Sequence, residues 1–359
     1  MIAPRGQFGP LGQLGLTVLL AAVACLGAMP AERQCGLSWV AGPTEVSAAD
    51  FEPLAALGVN WIVQTPFGWQ QAVDSPEVRL VTDGHIWWGE RDVGIEETTR
   101  LARERGIRTL LKPHVWLRRR ADGVWRGQIA MRSEEDWRLW FASYERFILH
   151  YAELAERLGI EALAVGTELH ATAVARPADW RRLIARVRAV YSGPLTYSAN
   201  WHREFQEVPF WQDLDWIGIQ AYFPLAAGER PTVEELVAGW QPHLAEIEEL
   251  RRRVGKPVVF TEVGYRSTPD AAAEPWRWPQ RGHRGGPVEA VDLETQRRCY
   301  EAFFRAVWPQ PWLAGAYFWK WYPSTPADRG IDPDFTPQGK PALEVLRRGF
   351  RDEVPAPGL

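Results

Sequence analysis

From residue 34 onward the chain alternates two hydrophobic rhythms. Short runs of β-branched and aromatic residues, bounded by Gly or Pro, are followed by longer stretches with apolar positions every three or four residues. The short runs predict eight strands, at 35–40, 59–65, 108–115, 162–168, 195–200, 216–222, 257–264 and 313–321. The longer stretches predict helices at 48–57 (after a Ser47 cap), 95–105, 134–157, 178–191, 233–253, 293–307 and 340–350, with a helical turn at 207–212. Eight strand–helix units over roughly 310 residues match the size of a (β/α)8 barrel. Strands this apolar suit a parallel sheet covered by helices on its outer face. A doubly wound sheet is the alternative, but no glycine-rich phosphate turn follows the first strand and no change in composition marks a second domain. The expected fold is therefore α/β, a single TIM barrel over 35–352 with a short tail at 353–359.

The longest connections follow strands two, three and seven, at 66–94, 116–133 and 266–291. They fall on the C-terminal face of a barrel, where active sites form. The second-strand loop carries Trp69, Trp87 and Trp88, and the seventh carries Trp276 and Trp278, which suits substrate walls. The stretch 280–286 is expected to be mobile.

Composition sharpens this. The chain holds 20 Trp against 9 Tyr and 14 Phe, and the C–H faces of sugars pack well on indole rings. Large barrels also use Trp as core filler. A net charge of −4 gives no electrostatic footprint for nucleic acid. Only four of the 41 basic residues are Lys, namely Lys112, Lys256, Lys320 and Lys340, so each position is informative. Three cysteines, Cys25, Cys35 and Cys299, are too few for a zinc site; Cys35 and Cys299 form either a pair or two buried thiols. Residues 1–31 read as an export signal, with Arg5 before an apolar run from Leu11 to Ala24 that is too short to span a bilayer comfortably. Ala22-Val23-Ala24 offers small residues for cleavage. Cys25 follows at once, so 22–25 also loosely matches a bacterial lipobox and a lipid anchor at Cys25 is the second possibility. The chain is expected to be exported and to act as a monomer.

Two glutamates sit at strand ends: Glu168 after the fourth strand and Glu262 within the seventh. Strands four and seven lie nearly opposite each other in a barrel, so their carboxylates face across the mouth. Cleaving a glycosidic bond needs two such carboxyls, held about 5–5.5 Å apart in enzymes that retain configuration. One strand-end Glu alone would suit an ion pair at the barrel top; two in these places point to chemistry.

The motifs LLKPHVW, AVGTE, QAY and FTEVGY, with a final AYFWKWYP strand, resemble glycoside hydrolase family 113, over about 36–350. That family is known mainly for β-mannan-degrading enzymes. The resemblance implies a retaining mechanism without cofactor or metal, with Glu168 as acid/base and Glu262 as nucleophile. It also implies that Trp319, ending strand eight, is the platform beneath the sugar at the cleavage point. The wider clan usually has Asn before the acid/base, where this chain has Thr167; Asn200, ending strand five, can take part of that role. Tyr222, ending strand six, can donate a hydrogen bond to Glu262. Lys112 and His114 alternate on strand three and point the same way, Lys112 to bind sugar hydroxyls or tune Glu168. Lys320 would face away from Trp319 by alternation yet stays a candidate for substrate binding, as does Gln220, which faces the same way as Tyr222. Trp61, Gln64, Trp69, Trp116 and Trp201 are further candidate walls.

The expected function is a retaining β-glycoside hydrolase acting on a plant-type carbohydrate, with β-1,4-mannan or its oligosaccharides first. Gluco-configured specificity and a non-catalytic carbohydrate-binding barrel are the competing readings. A metal-dependent hydrolase needs a His-x-His pair that the seven histidines do not form. A phosphate-binding metabolic barrel fits neither the export signal nor the later βα turns.

Overall fold

The computed structural model describes residues 32–119, 123–278, 289–323 and 332–353. The export signal and the stretch 280–286 lie outside the described residues.

Eight parallel strands close into a barrel in sequence order: Gln34–Trp39, Trp61–Gln64, Arg108–Leu111, Ala162–Thr167, Leu195–Asn200, Ile217–Gln220, Val258–Val263 and Leu313–Trp321. The last pairs with the first, Cys35 opposite Ala316. The interior is filled, not hollow: Trp61, Val63, Leu110, Ala162, Val259, Ala314 and Tyr317 pack there, while the alternate strand residues join the larger core beneath the helices. Gly36 makes this possible, because a Cβ there would lie 2.2 Å from the Tyr317 ring.

The helices begin and end where local chemistry says they should. Ser133 accepts the Asp136 amide at 3.1 Å to start Glu134–Leu158, whose first turn carries Glu134, Glu135 and Asp136 at the positive end of the dipole. Gly159, at φ +64°, closes it. Thr232 and Glu235 form a capping box before Val233–Val254. Leu293–Ala306 starts on Asp292.

Two departures from the expected elements matter for the site. Strand three stops at Leu111, because Pro113 has no N–H to continue the ladder. His114–Leu117 resumes as a separate strand, parallel to Phe67–Gln70, which follows Pro66 in the same way. With Val78–Arg79 these form a three-stranded sheet above the barrel mouth, built from the end of the expected third strand and the long connections expected after strands two and three. A short helix, His170–Ala175, also follows strand four directly. Cys35 and Cys299 are two buried free thiols.

Candidate active site

The Glu262 carboxyl projects from strand seven and is nearly buried. Lys112, just past strand three, places Nζ 2.5 Å from its Oε1 and also donates to Gln220 Oε1 (3.3 Å) and the Thr261 carbonyl (3.2 Å). Tyr222 donates its hydroxyl to Oε2 at 2.7 Å. Burial, with the Glu262 charge beside it, holds the Tyr222 hydroxyl well above its ordinary pKa, so it stays a donor. Burial lowers the Lys112 ammonium from its usual range, and Glu262 opposes that shift. Lys112 is completely buried with Glu262 as its direct partner, and its charge also lowers the Glu168 pKa from nearby, the tuning that was one of its two expected roles.

Glu168 follows strand four in the left-handed region, at φ +52°. Non-glycine residues rarely adopt that conformation, and it costs strain that the surroundings must hold. Its amide donates to the Ser198 carbonyl at 2.9 Å. Two residues earlier, a Cβ on Gly166 would lie 2.7 Å from Trp180 and 2.8 Å from Tyr197, so glycine lets both rings press on the strand. Asn200 donates from Nδ2 to Glu168 Oε1 at 2.7 Å. Thr167 itself is buried against the Pro113 carbonyl. Arg126 donates to Oε2 at 3.3 Å. Burial raises the Glu168 pKa; Arg126 and Asn200 oppose this, and the negative charge of Glu262 adds to it.

His114 joins the two halves. Its Nδ1 lies 3.0 Å from Arg126 Nη1, a donor, which assigns the proton to Nε2. Nε2 faces Glu262 Oε1 at 3.9 Å and has no hydrogen-bond partner among the described residues. Burial and the neighbouring cations Arg126 and Lys112 keep this imidazole neutral, well below the usual histidine pKa.

These groups open into a cavity of about 450 Å³ walled also by Gln220, Trp319, Lys320 and Phe67. A second lobe of about 600 Å³ lies beyond Glu168, against Trp116, Trp125, Trp201 and His202. Trp116, Arg126, Glu168, Asn200, Trp276 and Trp278 line both lobes, so Glu168 stands at their junction. Trp276 and Trp278, exposed at 41% and 57%, present open indole surface to this cleft. Trp276 stacks on Trp201 at 5.0 Å, and Trp278 meets Trp319 edge-on at 6.1 Å.

Several expectations need correction. Trp61 begins strand two at the bottom of the barrel, edge-on to Trp216 and Tyr317 at 6.4 Å each, far from the mouth. Gln64 points outward and donates to Thr99 of the helix Asp92–Arg103. Trp69 lies in the small sheet beneath the Arg118 guanidinium, and Phe67 takes the cavity position instead. The candidate Lys320 does line the cavity beside Trp319, and only the facing that alternation gave it is overturned. Its ammonium pairs with Asp334 at 3.1 Å. Arg126 and Glu90 were missed altogether. Glu90 lines the cavity, and burial pushes its carboxyl up to about 7. Among the described residues, no cluster of three or more His, Cys, Asp and Glu could hold a metal ion.

The model of glycoside hydrolase family 113 matches residues 41–340. The chain belongs to that family and is a glycoside hydrolase. Among solved structures, it resembles a family 113 β-mannanase from Alicyclobacillus acidocaldarius in complex with ManMIm, at 31% identity and a TM-score of 0.77 over 91% of this chain and 99% of the other. A second family 113 β-1,4-mannanase, solved as a complex, matches at 25% identity and a TM-score of 0.74 over 89% of this chain and 99% of that one. A family 2 β-galacturonidase from Eisenbergiella tayi shares the barrel alone, at 15% identity and a TM-score of 0.54, over 89% of this chain and 51% of its own. No curated protein sequence matches the chain.

Proposed function

We propose that this family 113 glycoside hydrolase cleaves β-1,4-mannan and its oligosaccharides with retention of configuration. The carrying observation is that the two carboxyls have unlike surroundings. A cation and a hydroxyl converge on the oxygens of Glu262, and the form that accepts these bonds is the carboxylate. Glu168 is buried beside that charge with its pKa raised, which suits a proton donor near neutrality.

In the first step Glu168 protonates the departing glycosidic oxygen while Glu262 attacks the anomeric carbon, giving a glycosyl-enzyme. Glu168, now ionised, takes a proton from the water that releases the sugar. Trp319 serves as the platform under the ring, and His114, Asn200 and Gln220 line the cavity that would take the sugar. Lobes on both sides of Glu168 support cleavage within a chain rather than only at its end. The β-mannanase relatives favour mannan over gluco-configured polymers. The pattern of residues 1–31 supports an enzyme that works outside the cytoplasm, cleaved before Cys25 or anchored on it.

The deciding experiment offers the purified protein β-mannan, glucomannan, cellulose and xylan, with NMR following the first anomer released. Sugar released from mannan as the β-anomer is expected; α-anomer first, or activity only on other polymers, overturns the reading. Glu262→Ala should be inactive until azide is added, and Glu168→Ala should spare aryl substrates with good leaving groups.

A further inference from the structure

Glu204, just past strand five, is fully buried, and the two-carboxylate mechanism gives it no task. Its carboxyl is nevertheless the meeting point of two hydrogen-bonded arms that both end on Glu168. In one arm, Oε1 accepts the Tyr197 hydroxyl at 2.5 Å, and the Tyr197 oxygen accepts the Leu169 amide at 2.7 Å. That amide belongs to the peptide immediately after Glu168. In the other, Oε2 accepts the Asn200 amide at 2.6 Å, and the Asn200 side chain donates to Glu168 Oε1 at 2.7 Å. The Asn200 carbonyl oxygen is occupied by the His202 amide at 2.8 Å, which fixes which end of the side chain faces Glu168.

We propose that Glu204 is a positioning residue for the acid/base: one buried carboxyl holds both the backbone of Glu168 and the donor that orients its side chain. Glu168 needs such a brace because it sits in the left-handed region, where its own backbone preference pulls it away. Hydrophobic packing alone would not select this orientation. The two oxygens of the Glu204 carboxyl engage two otherwise orphaned groups, the Asn200 amide and, through Tyr197, the Leu169 amide. Gly166 contributes by letting the Tyr197 ring lie against strand four, which brings its hydroxyl to the Leu169 amide. The inference rests on Glu168 being the acid/base.

The test compares kcat/KM, which reports the glycosylation step, for mannopentaose and for 2,4-dinitrophenyl β-mannobioside. The first needs an acid to leave and the second does not. The variants are Glu204→Ala, Glu204→Gln and Tyr197→Phe, with Glu168→Ala alongside. Glu204→Ala and Tyr197→Phe should lower kcat/KM on mannopentaose about tenfold or more, through kcat, and leave the aryl substrate within about threefold. Glu204→Gln, which keeps the shape and one acceptor, should recover most of the loss. Equal losses on both substrates, or no loss on either, overturn the proposal. If Glu204→Ala does not fold, Tyr197→Phe decides alone, since it removes the hydroxyl and keeps the ring. If Glu168→Ala itself fails to spare the aryl substrate, the acid/base assignment falls. If it spares that substrate and the Glu204 and Tyr197 variants do not, only the positioning role falls.

Discussion

The ammonium of Lys112 and the carboxylate of Glu262 form an ion pair at 2.5 Å, with side-chain exposures of 0% and 6%. A pair this buried is strongly coupled to folding, because removing one partner leaves an uncompensated charge away from water. Lys112→Met should cost about 3–5 kcal/mol, lowering Tm by on the order of 10 °C. It should also abolish most activity. Adding Glu262→Gln to it should restore part of the Tm and none of the activity. Calorimetry on the single and double variants checks this, and a double variant no more stable than Lys112→Met would contradict it.

Arg126 opposes the raised pKa of Glu168. Taking that cation away disfavours the ionised carboxylate, so Glu168 should hold its proton to higher pH. In Arg126→Met the basic limb of the kcat/KM profile should move upward. The acid limb gives the contrast and should stay in place.

Two tryptophans expected to do similar work should behave oppositely. Trp201 lines the lobe beyond Glu168 and stacks with Trp276, whereas Trp61 fills the barrel floor. Trp201→Ala should reduce kcat/KM on long mannooligosaccharides about tenfold, equivalent to losing about 1.4 kcal/mol of binding, with little change in Tm. Trp61→Ala should cost about 3–5 kcal/mol of stability without altering KM at temperatures where it remains folded. Paired kinetics and thermal scans on the two variants distinguish these roles.

Burial pushes the Glu204 carboxyl from 4.5 up to about 8. The native state therefore keeps a proton that the unfolded chain has released. Between these two values the unfolded state binds fewer protons, so the contribution of Glu204 is complete below the lower one and is lost as pH rises through the higher. Glu204→Gln has no such proton to lose. The Tm of the variant minus that of the wild type should grow more positive between about pH 5 and about pH 8. A difference that stays flat across this range would mean Glu204 titrates normally.

The regular parts of this fold were readable because periodicity reports burial directly. The eight strands sit within a few residues of their expected bounds, and the two glutamates that end strands four and seven meet at the barrel mouth. Tyr222 and Asn200 were readable for the same reason, since a strand end in a barrel has a known direction. Arg126 was not. It is one of five arginines between 118 and 132, in a stretch without periodicity, and nothing in its neighbours marks it as the one that reaches Glu168. Trp61 misled because inward-pointing is not the same as mouth-facing: alternation gives the side of the sheet, not the height in the barrel.

What the chain's linear order determined, then, was the barrel, its polarity and which two carboxyls meet at its mouth, each set by local propensity and the period of burial. Tertiary structure decided how those carboxyls differ. Lys112 and Glu262 are 150 residues apart in the chain, and only closure of the barrel brings them together. Glu168 meets Arg126 through a loop and Glu204 through Asn200 and Tyr197. Their electrostatic inequality depends on distances and exclusion of water, which a sequence does not carry until the chain has packed.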